Sequence, residues 1–112
     1  MKKITAIVRQ SKLEAIKESL GHNNIKGITV TNVIGSGLQQ GKTAQYRGNK
    51  YIVNLLPKVQ IDVVVHDELV EELIRIIVEE ARTGEIGDGK IFVTAVEDAV
   101  RIRTGERGMK AL

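Results

Sequence analysis

Three short segments carry residue types that could handle a negatively charged ligand. In Gly84-Glu-Ile-Gly-Asp-Gly-Lys90, three glycines precede a lysine, a composition whose backbone N–H groups can curl round a phosphate as a nest. The spacing satisfies G-x-x-x-x-G-K. However, Ile91 follows where that phosphate loop needs a hydroxyl for magnesium, and a strand rather than a helix is expected next. The segment is therefore not a Walker loop, and taken alone it reads equally as a tight helix-to-strand turn. Gly35-Ser-Gly-Leu-Gln-Gln-Gly41 follows an expected strand, but its third glycine comes one residue late for a dinucleotide fingerprint and no helix signal follows. By itself it is a hinge. Val100-Arg-Ile-Arg-Thr-Gly-Glu106 sets Arg101 and Arg103 two residues apart, so that on an extended segment both guanidiniums share a side and suit phosphate oxygens. The alternative is an edge strand kept soluble by charge.

Nothing comparable points to catalysis. His22 and His66 are isolated, and no Ser-His-Asp or paired-carboxylate constellation is apparent, so a binding protein rather than an enzyme is expected. Cysteine is absent, which removes disulfides and thiolate metal sites. No apolar run approaches the ~20 residues that span a bilayer. Thr5, Arg9, Gln10 and Ser11 interrupt what would be a signal peptide after Met1-Lys2-Lys3, so a cytoplasmic protein is expected. The net charge of +3 is mild, but its distribution is uneven. No acid occurs over residues 19–61, where Lys26, Lys42, Arg47, Lys50 and Lys58 lie, and 9 of the 14 acids crowd into residues 62–88. Arg101, Arg103, Arg107 and Lys110 then form a second basic zone, and the two zones together would suit a multiply charged anion.

The elements that must position these segments follow from periodicity. Ile4, Ala6 and Val8 alternate on a strand over residues 2–9. Ser11 and Glu14 have capping-box spacing, Leu13, Ile16 and Leu20 follow at helical intervals, and Gly21 is placed to end that helix. A second strand is expected over 27–35. Val59, Ile61, Val63 and Val65 line a third, with Pro57 at its start. Asp67 is placed to cap a second helix with the stripe Leu69, Leu73, Ile76, Ile77, supported by a Glu71–Arg75 pair. A fourth strand covers 91–96, and residues 100–103 form a short one. Strand-helix-strand twice over predicts an α+β, ferredoxin-like βαββαβ fold, a single domain over 1–112 with both helices on one sheet face. Thr29, Thr31, Val33, Asp62 and Val64 would line the other face, too apolar for water and too polar for a closed core. Packing against copies of the chain would cover it. The stretch between the halves, about 36–55, far exceeds the usual ~4–6-residue connection and holds two of the three aromatics, Tyr46 and Tyr51. That is the composition of a partner-binding loop.

Together these segments resemble the PII nitrogen-regulatory signal protein family almost end to end. Residues 83–93 resemble its C-terminal signature. Tyr46-Arg-Gly-Asn-Lys-Tyr51 is similar to its tyrosine-site signature except at Asn49 and Lys50. The Gly35–Gly41 spacing, Leu56-Pro-Lys58 and the 101–106 segment also match. The resemblance implies a homotrimer that binds ATP or ADP between subunits and catalyses nothing. Gly87, Asp88, Gly89 and Lys90 of a phosphate-binding loop (about 82–90) would hold phosphates. Arg101 and Arg103 from a neighbour's basic C-terminal segment (about 101–109) would join them. Thr29, Asp62 and Val64 would border the adenine, and Gly35, Ser36, Gly37 and Leu38 the nucleotide's loop side. Gln39 would help hold magnesium, which chelates 2-oxoglutarate, the effector that Gly41, Lys58 and Gly87 also contact. The implied partners are an ammonium transporter, which would draw the protein to a membrane, and enzymes or regulators of nitrogen metabolism. Neither direct nucleic-acid binding nor membrane insertion is implied. Leu38 stands where many relatives have arginine, Asp62 replaces a commoner glutamate, and Tyr51 matches a residue that some relatives have uridylylated. The alternative from another class is an RNA-recognition module, which shares the element order but stacks bases on strand aromatics. The strands here carry Ile, Ala, Val and Thr instead.

Overall fold

The computed structural model describes residues 1–38 and 53–112. Its elements are β1 (Lys2–Val8), α1 (Leu13–His22), β2 (Thr29–Leu38), β3 (Val53–Val65), α2 (Val70–Ala81) and β4 (Lys90–Ala95). The four strands form one antiparallel sheet in the order β2-β3-β1-β4. This is the expected ferredoxin-like arrangement. The period-two pattern fixes which side of each strand is buried: Ile4, Ala6 and Val8 of β1, together with Val59, Ile61, Val63 and Val65 of β3, meet Ile16 and Leu20 of α1 and Leu73, Ile76 and Ile77 of α2. No polar or charged residue is buried with them among the described residues, so the core is held by apolar burial, about 1.5–3 kcal/mol for each large side chain.

Both helices start differently from expectation. A 3-10 turn, Gln10–Lys12, leads into α1, and no side chain caps either the turn or the helix, so Ser11 and Glu14 do not form a capping box. The Glu14 carboxylate instead accepts from Lys17, 3.4 Å away. Gly21 lies inside α1, not at its end. Asn24 takes the left-handed conformation there (φ 59°), with Ile25 N–H donating to Leu20 O at 2.9 Å and Asn24 N–H to Gly21 O at 3.1 Å. This is a Schellman closure, and Ile25 packs back on the core. The second helix likewise begins with a 3-10 turn, Asp67–Leu69. The Asp67 carboxylate makes no cap bond and pairs with the Met1 ammonium at 2.9 Å. Leu69 is exposed, so the buried stripe runs through Leu73, Ile76, Ile77 and Ala81. Arg75 pairs with Glu72 and Glu79 at 2.6 and 2.9 Å rather than with Glu71.

Two strands are longer than their apolar pattern. β2 runs to Leu38 and β3 begins at Val53, so the strand pair takes in both ends of the stretch read as a loop. Pro57 sits within β3 opposite Ile34 rather than at its start. It is tolerated because β1 pairs with β3 only as far as Val59, leaving Pro57 with a strand neighbour on one side. Residues 100–103 form no strand: Val100 and Arg107 make one isolated bridge, and a turn occupies 102–104.

Candidate functional site

The register settles which residues share the sheet face away from the helices. Thr29 lies opposite Asp62 and Thr31 opposite Gln60, while Thr5 lies between Asp62 on one side and Phe92 on the other. Thr29, Thr31, Val33, Asp62 and Val64 therefore face outward, as expected. On β3, Lys58 and Asp62 stand on this face four residues apart, about 14 Å along the strand.

At the Asp62 end, Thr5 Oγ1 donates to Asp62 Oδ1 at 2.6 Å and Gln60 Nε2 to Oδ2 at 2.9 Å, with Lys3 Nζ 3.8 Å away. Burial works against the charged carboxylate. The hydrogen bonds from Thr5 and Gln60 and the charge of Lys3 nevertheless hold its pKa below the ordinary value. A groove of about 500 Å³ opens here, with Lys3, Lys26, Thr29, Asp62, Val64 and Leu112 in its lining.

At the Lys58 end, the glycine-rich loop turns against the end of β1 and the middle of β3. Lys58 Nζ donates to Gly87 O at 2.5 Å, Arg9 donates to Ile86 O at 3.0 Å, and the Arg9 guanidinium lies 3.4 Å from Asp88. Gly35 closes the same corner from β2, its backbone so near that a Cβ would lie 3.3 Å from Lys58 Cγ. The Lys58 pKa is lowered: burial strips water from the ammonium and Arg9 repels it, with Asp88 offsetting part of the effect.

Asp88 shapes this loop. Its carboxylate accepts from Thr83 N–H at 2.8 Å, Gly84 N–H at 2.9 Å and the Thr83 hydroxyl, as well as from Arg9. Those donors, the Thr83 hydroxyl foremost, hold its pKa far below the usual carboxylate range. The side chain is thus spent on the turn, and what Asp88 can offer an anion is its peptide N–H. Among the described residues neither this N–H nor that of Gly87 finds an acceptor. Gly89 has to be glycine: its φ is +102°, and a Cβ would fall 1.7 Å from Ile7 O. Lys90, the first residue of β4, is exposed beside the loop. Unpaired N–H groups with Lys90, Lys58 and Arg9 around them form a cradle fit for phosphate or carboxylate oxygens.

The structure gathers Thr29, Asp62 and Val64 on one end of the outer face, and Gly35, Lys58, Gly87, Asp88 and Gly89 at the other. Ser36, Gly37 and Leu38 belong to the far end of β2, while Gln39, Gly41 and Tyr51 lie outside the described residues. Within one chain, Arg101 and Arg103 have no bond to residues 87–90 among the described residues. Arg101 instead donates to Glu106 at 3.3 Å and to Leu112 O at 3.0 Å, and the 102–104 turn replaces the extended segment expected to align the pair. Arg9, Lys3, Thr5 and Gln60 were missed by motif reading. Their signal was period two: Lys3, Thr5, Ile7 and Arg9 are the outward positions of the strand whose inward positions are Ile4, Ala6 and Val8. Among the described residues no cluster of His, Asp and Glu could hold a metal, and no helix is long and apolar enough to cross a membrane.

Comparison with known proteins agrees along the chain. The family model described as "Nitrogen regulatory protein P-II" matches residues 1–106. Proteins with that name from Azospirillum brasilense and Rhodospirillum rubrum are 57% and 54% identical over 112 residues, covering all of both chains in each case. "Nitrogen regulatory protein P-II 1" of Methanothermobacter thermautotrophicus is 54% identical over 112 residues, all of this chain and 97% of its own. These names describe regulators and not enzymes. The chain belongs to the nitrogen regulatory protein P-II family.

Proposed function

We propose that this protein is a nitrogen-regulatory signal protein that senses ATP or ADP together with 2-oxoglutarate. As a homotrimer, it would act on an ammonium transporter or on enzymes and regulators of nitrogen metabolism. The observation that carries the reading is the corner where Lys58, Arg9 and the Gly87–Asp88 peptide groups converge below Lys90. An anion arriving there finds Lys58 and Arg9 already held beside the loop by their bonds to Gly87 O and Ile86 O, so little ordering entropy is lost on binding.

In this reading Thr29, Asp62 and Val64 border the adenine, Gly35, Ser36, Gly37 and Leu38 its loop side. The phosphates lie on residues 87–90 and meet Arg101 and Arg103 of an adjacent copy. The uncovered outer face supports a between-copy site, because Val33, Val64 and the half-exposed Phe92 lie on it among its polar residues. Lys58 exchanges the Gly87 carbonyl for the distal carboxylate of 2-oxoglutarate, so that the ammonium meets an ionised acceptor in place of a neutral one. Gly41 and Gly87 supply peptide contacts. Magnesium, held with the help of Gln39, would supply positive charge that Lys58 alone cannot set against a dianion. Partner choice belongs to the segment between β2 and β3, and Tyr51 within it is a candidate for uridylylation.

Calorimetry with ATP and magnesium, with and without 2-oxoglutarate, tests the reading alongside light scattering. The expected outcome is three chains per particle and 2-oxoglutarate binding that requires both ATP and magnesium. A monomer at micromolar concentration, or 2-oxoglutarate affinity unchanged after magnesium is chelated, would overturn it.

A further inference from the structure

The segment after β4 ends in a braced hairpin with an unusual tip. Val100 bridges Arg107, Arg101 N–H donates to Glu106 O at 2.9 Å, Gly105 N–H donates to Arg101 O at 2.7 Å, and Arg107 pairs with Asp98. On this ordered turn Ile102 is 98% exposed. A large aliphatic side chain held rigidly in water gains most by entering an apolar hollow. One lies between α2 and the start of β4: about 290 Å³, walled by Val8, Ile77, Val78 and Ile91 and opening beside Gly89 and Lys90. Ile102 of the same chain does not line it, and the ties from Arg101 to Glu106 and Leu112 hold the hairpin in its own place.

We propose that Ile102 of one copy seats in this hollow of the adjacent copy, and that the contact aims Arg101 and Arg103 at the phosphate-binding loop. The proposal rests on the nucleotide-binding reading above and adds a positioning residue to it. Consecutive Cα atoms are about 3.8 Å apart, so if Arg101 and Arg103 both reach an anion at residues 87–90, Ile102 is carried to the rim of the same loop. Charge explains why an apolar contact is needed there. Arg101 and Arg103 approach Lys90 and Arg82, and the carboxylate in the same lining, Asp88, is already engaged by Thr83, Gly84 and Arg9, so without an intervening anion the electrostatics oppose docking. Ile102 supplies the attraction in the empty state, and nucleotide phosphates turn the repulsion into attraction on arrival.

The absence of cysteine makes the contact directly testable. A chain carrying Ile102→Cys and Val78→Cys should form disulfide-linked multimers under mild oxidation, faster with ATP. A control pairing Ile102→Cys with Glu18→Cys, on the far side of α1, should not. Separately, Ile102→Ser should keep the trimer and the circular dichroism spectrum yet weaken ATP binding at least about fivefold, the loss expected for an interface anchor worth more than about 1 kcal/mol. Ile102→Leu should restore it. Wild-type protein that binds no ATP would remove the nucleotide site, and this proposal with it. ATP binding intact in the wild type, with no multimers from the 102–78 pair and unchanged affinity in Ile102→Ser, would overturn this proposal alone.

Discussion

Replacing Gly89 by alanine tests how the glycine-rich loop is fastened to the sheet. The new Cβ would lie 1.7 Å from Ile7 O and 2.9 Å from Ile7 C; reaching 3.0 Å from the oxygen requires the loop to retreat by about 1.3 Å (3.0 minus 1.7). The obstacle is backbone in β1, which has core neighbours on its other side and cannot yield as a flexible side chain would. The φ of +102° adds strain that a Cβ makes worse. Together these should cost about 2–4 kcal/mol, in the range of severe single substitutions, and lower Tm by about 10 °C or more. ATP affinity should fall as well, because Lys90 and the Gly87 and Asp88 N–H groups move with the loop. Gly105→Ala is the control: φ is +73° but nothing lies within 4 Å, so only the backbone cost of about 1 kcal/mol applies. Thermal unfolding and calorimetry on both variants decide the matter. Equal losses of Tm in the two would refute the close approach to Ile7 as the reason for glycine.

Gly21→Ala should stabilise the protein by about 0.5–1 kcal/mol, because Gly21 is inside α1, not at its left-handed end, and nothing lies within 4 Å of its Cβ position; a lower Tm would contradict this. Lys90→Ala and Arg103→Ala should each weaken ATP binding about ten- to a hundredfold with the trimer intact, the worth of a charge-assisted hydrogen bond; unchanged affinity in both would put the phosphates elsewhere. Because the Lys58 pKa is lowered from 10.5, 2-oxoglutarate affinity should fall as pH rises through a value below 10.5, and Lys58→Gln should abolish that dependence. The unfolded chain binds more protons in the same window, so Lys58 makes stability rise with pH there, which denaturant titration at several pH values checks. Leu38→Arg should tighten ATP more than ADP by about 1 kcal/mol, one net hydrogen bond to the terminal phosphate; calorimetry showing an unchanged ATP-to-ADP ratio would place this residue away from it.

The fold and core were legible in the sequence because they repeat a local geometry. Period two in Ile4, Ala6, Val8 and in Val59 through Val65, and helical spacing in Ile16, Leu20 and Leu73, Ile76, Ile77, are forced by the backbone of each element whatever it packs against. Two such strand-helix-strand halves leave few sheet orders. The glycine-rich loop was legible as a tight helix-to-strand connection, since glycines in that spacing mark a turn, but its residues alone read equally as a plain turn or as an anion cradle. The helix caps were not legible, because a cap depends on competition. Asp67 was free to cap its helix until the Met1 ammonium arrived within 2.9 Å, and Arg75 chose between carboxylates that the sequence places almost equally near. The corner of the site was hidden for a deeper reason. Arg9, Gly35, Lys58 and Gly87 come from four separate elements, and only strand register brings their atoms together. Once there, they alter one another: Arg9 repels Lys58, and Asp88 gives its carboxylate to the Thr83 turn. A hydrogen bond needs contact and a charge repulsion grows as the charges close, so both take their strength only after tertiary structure has set the distances.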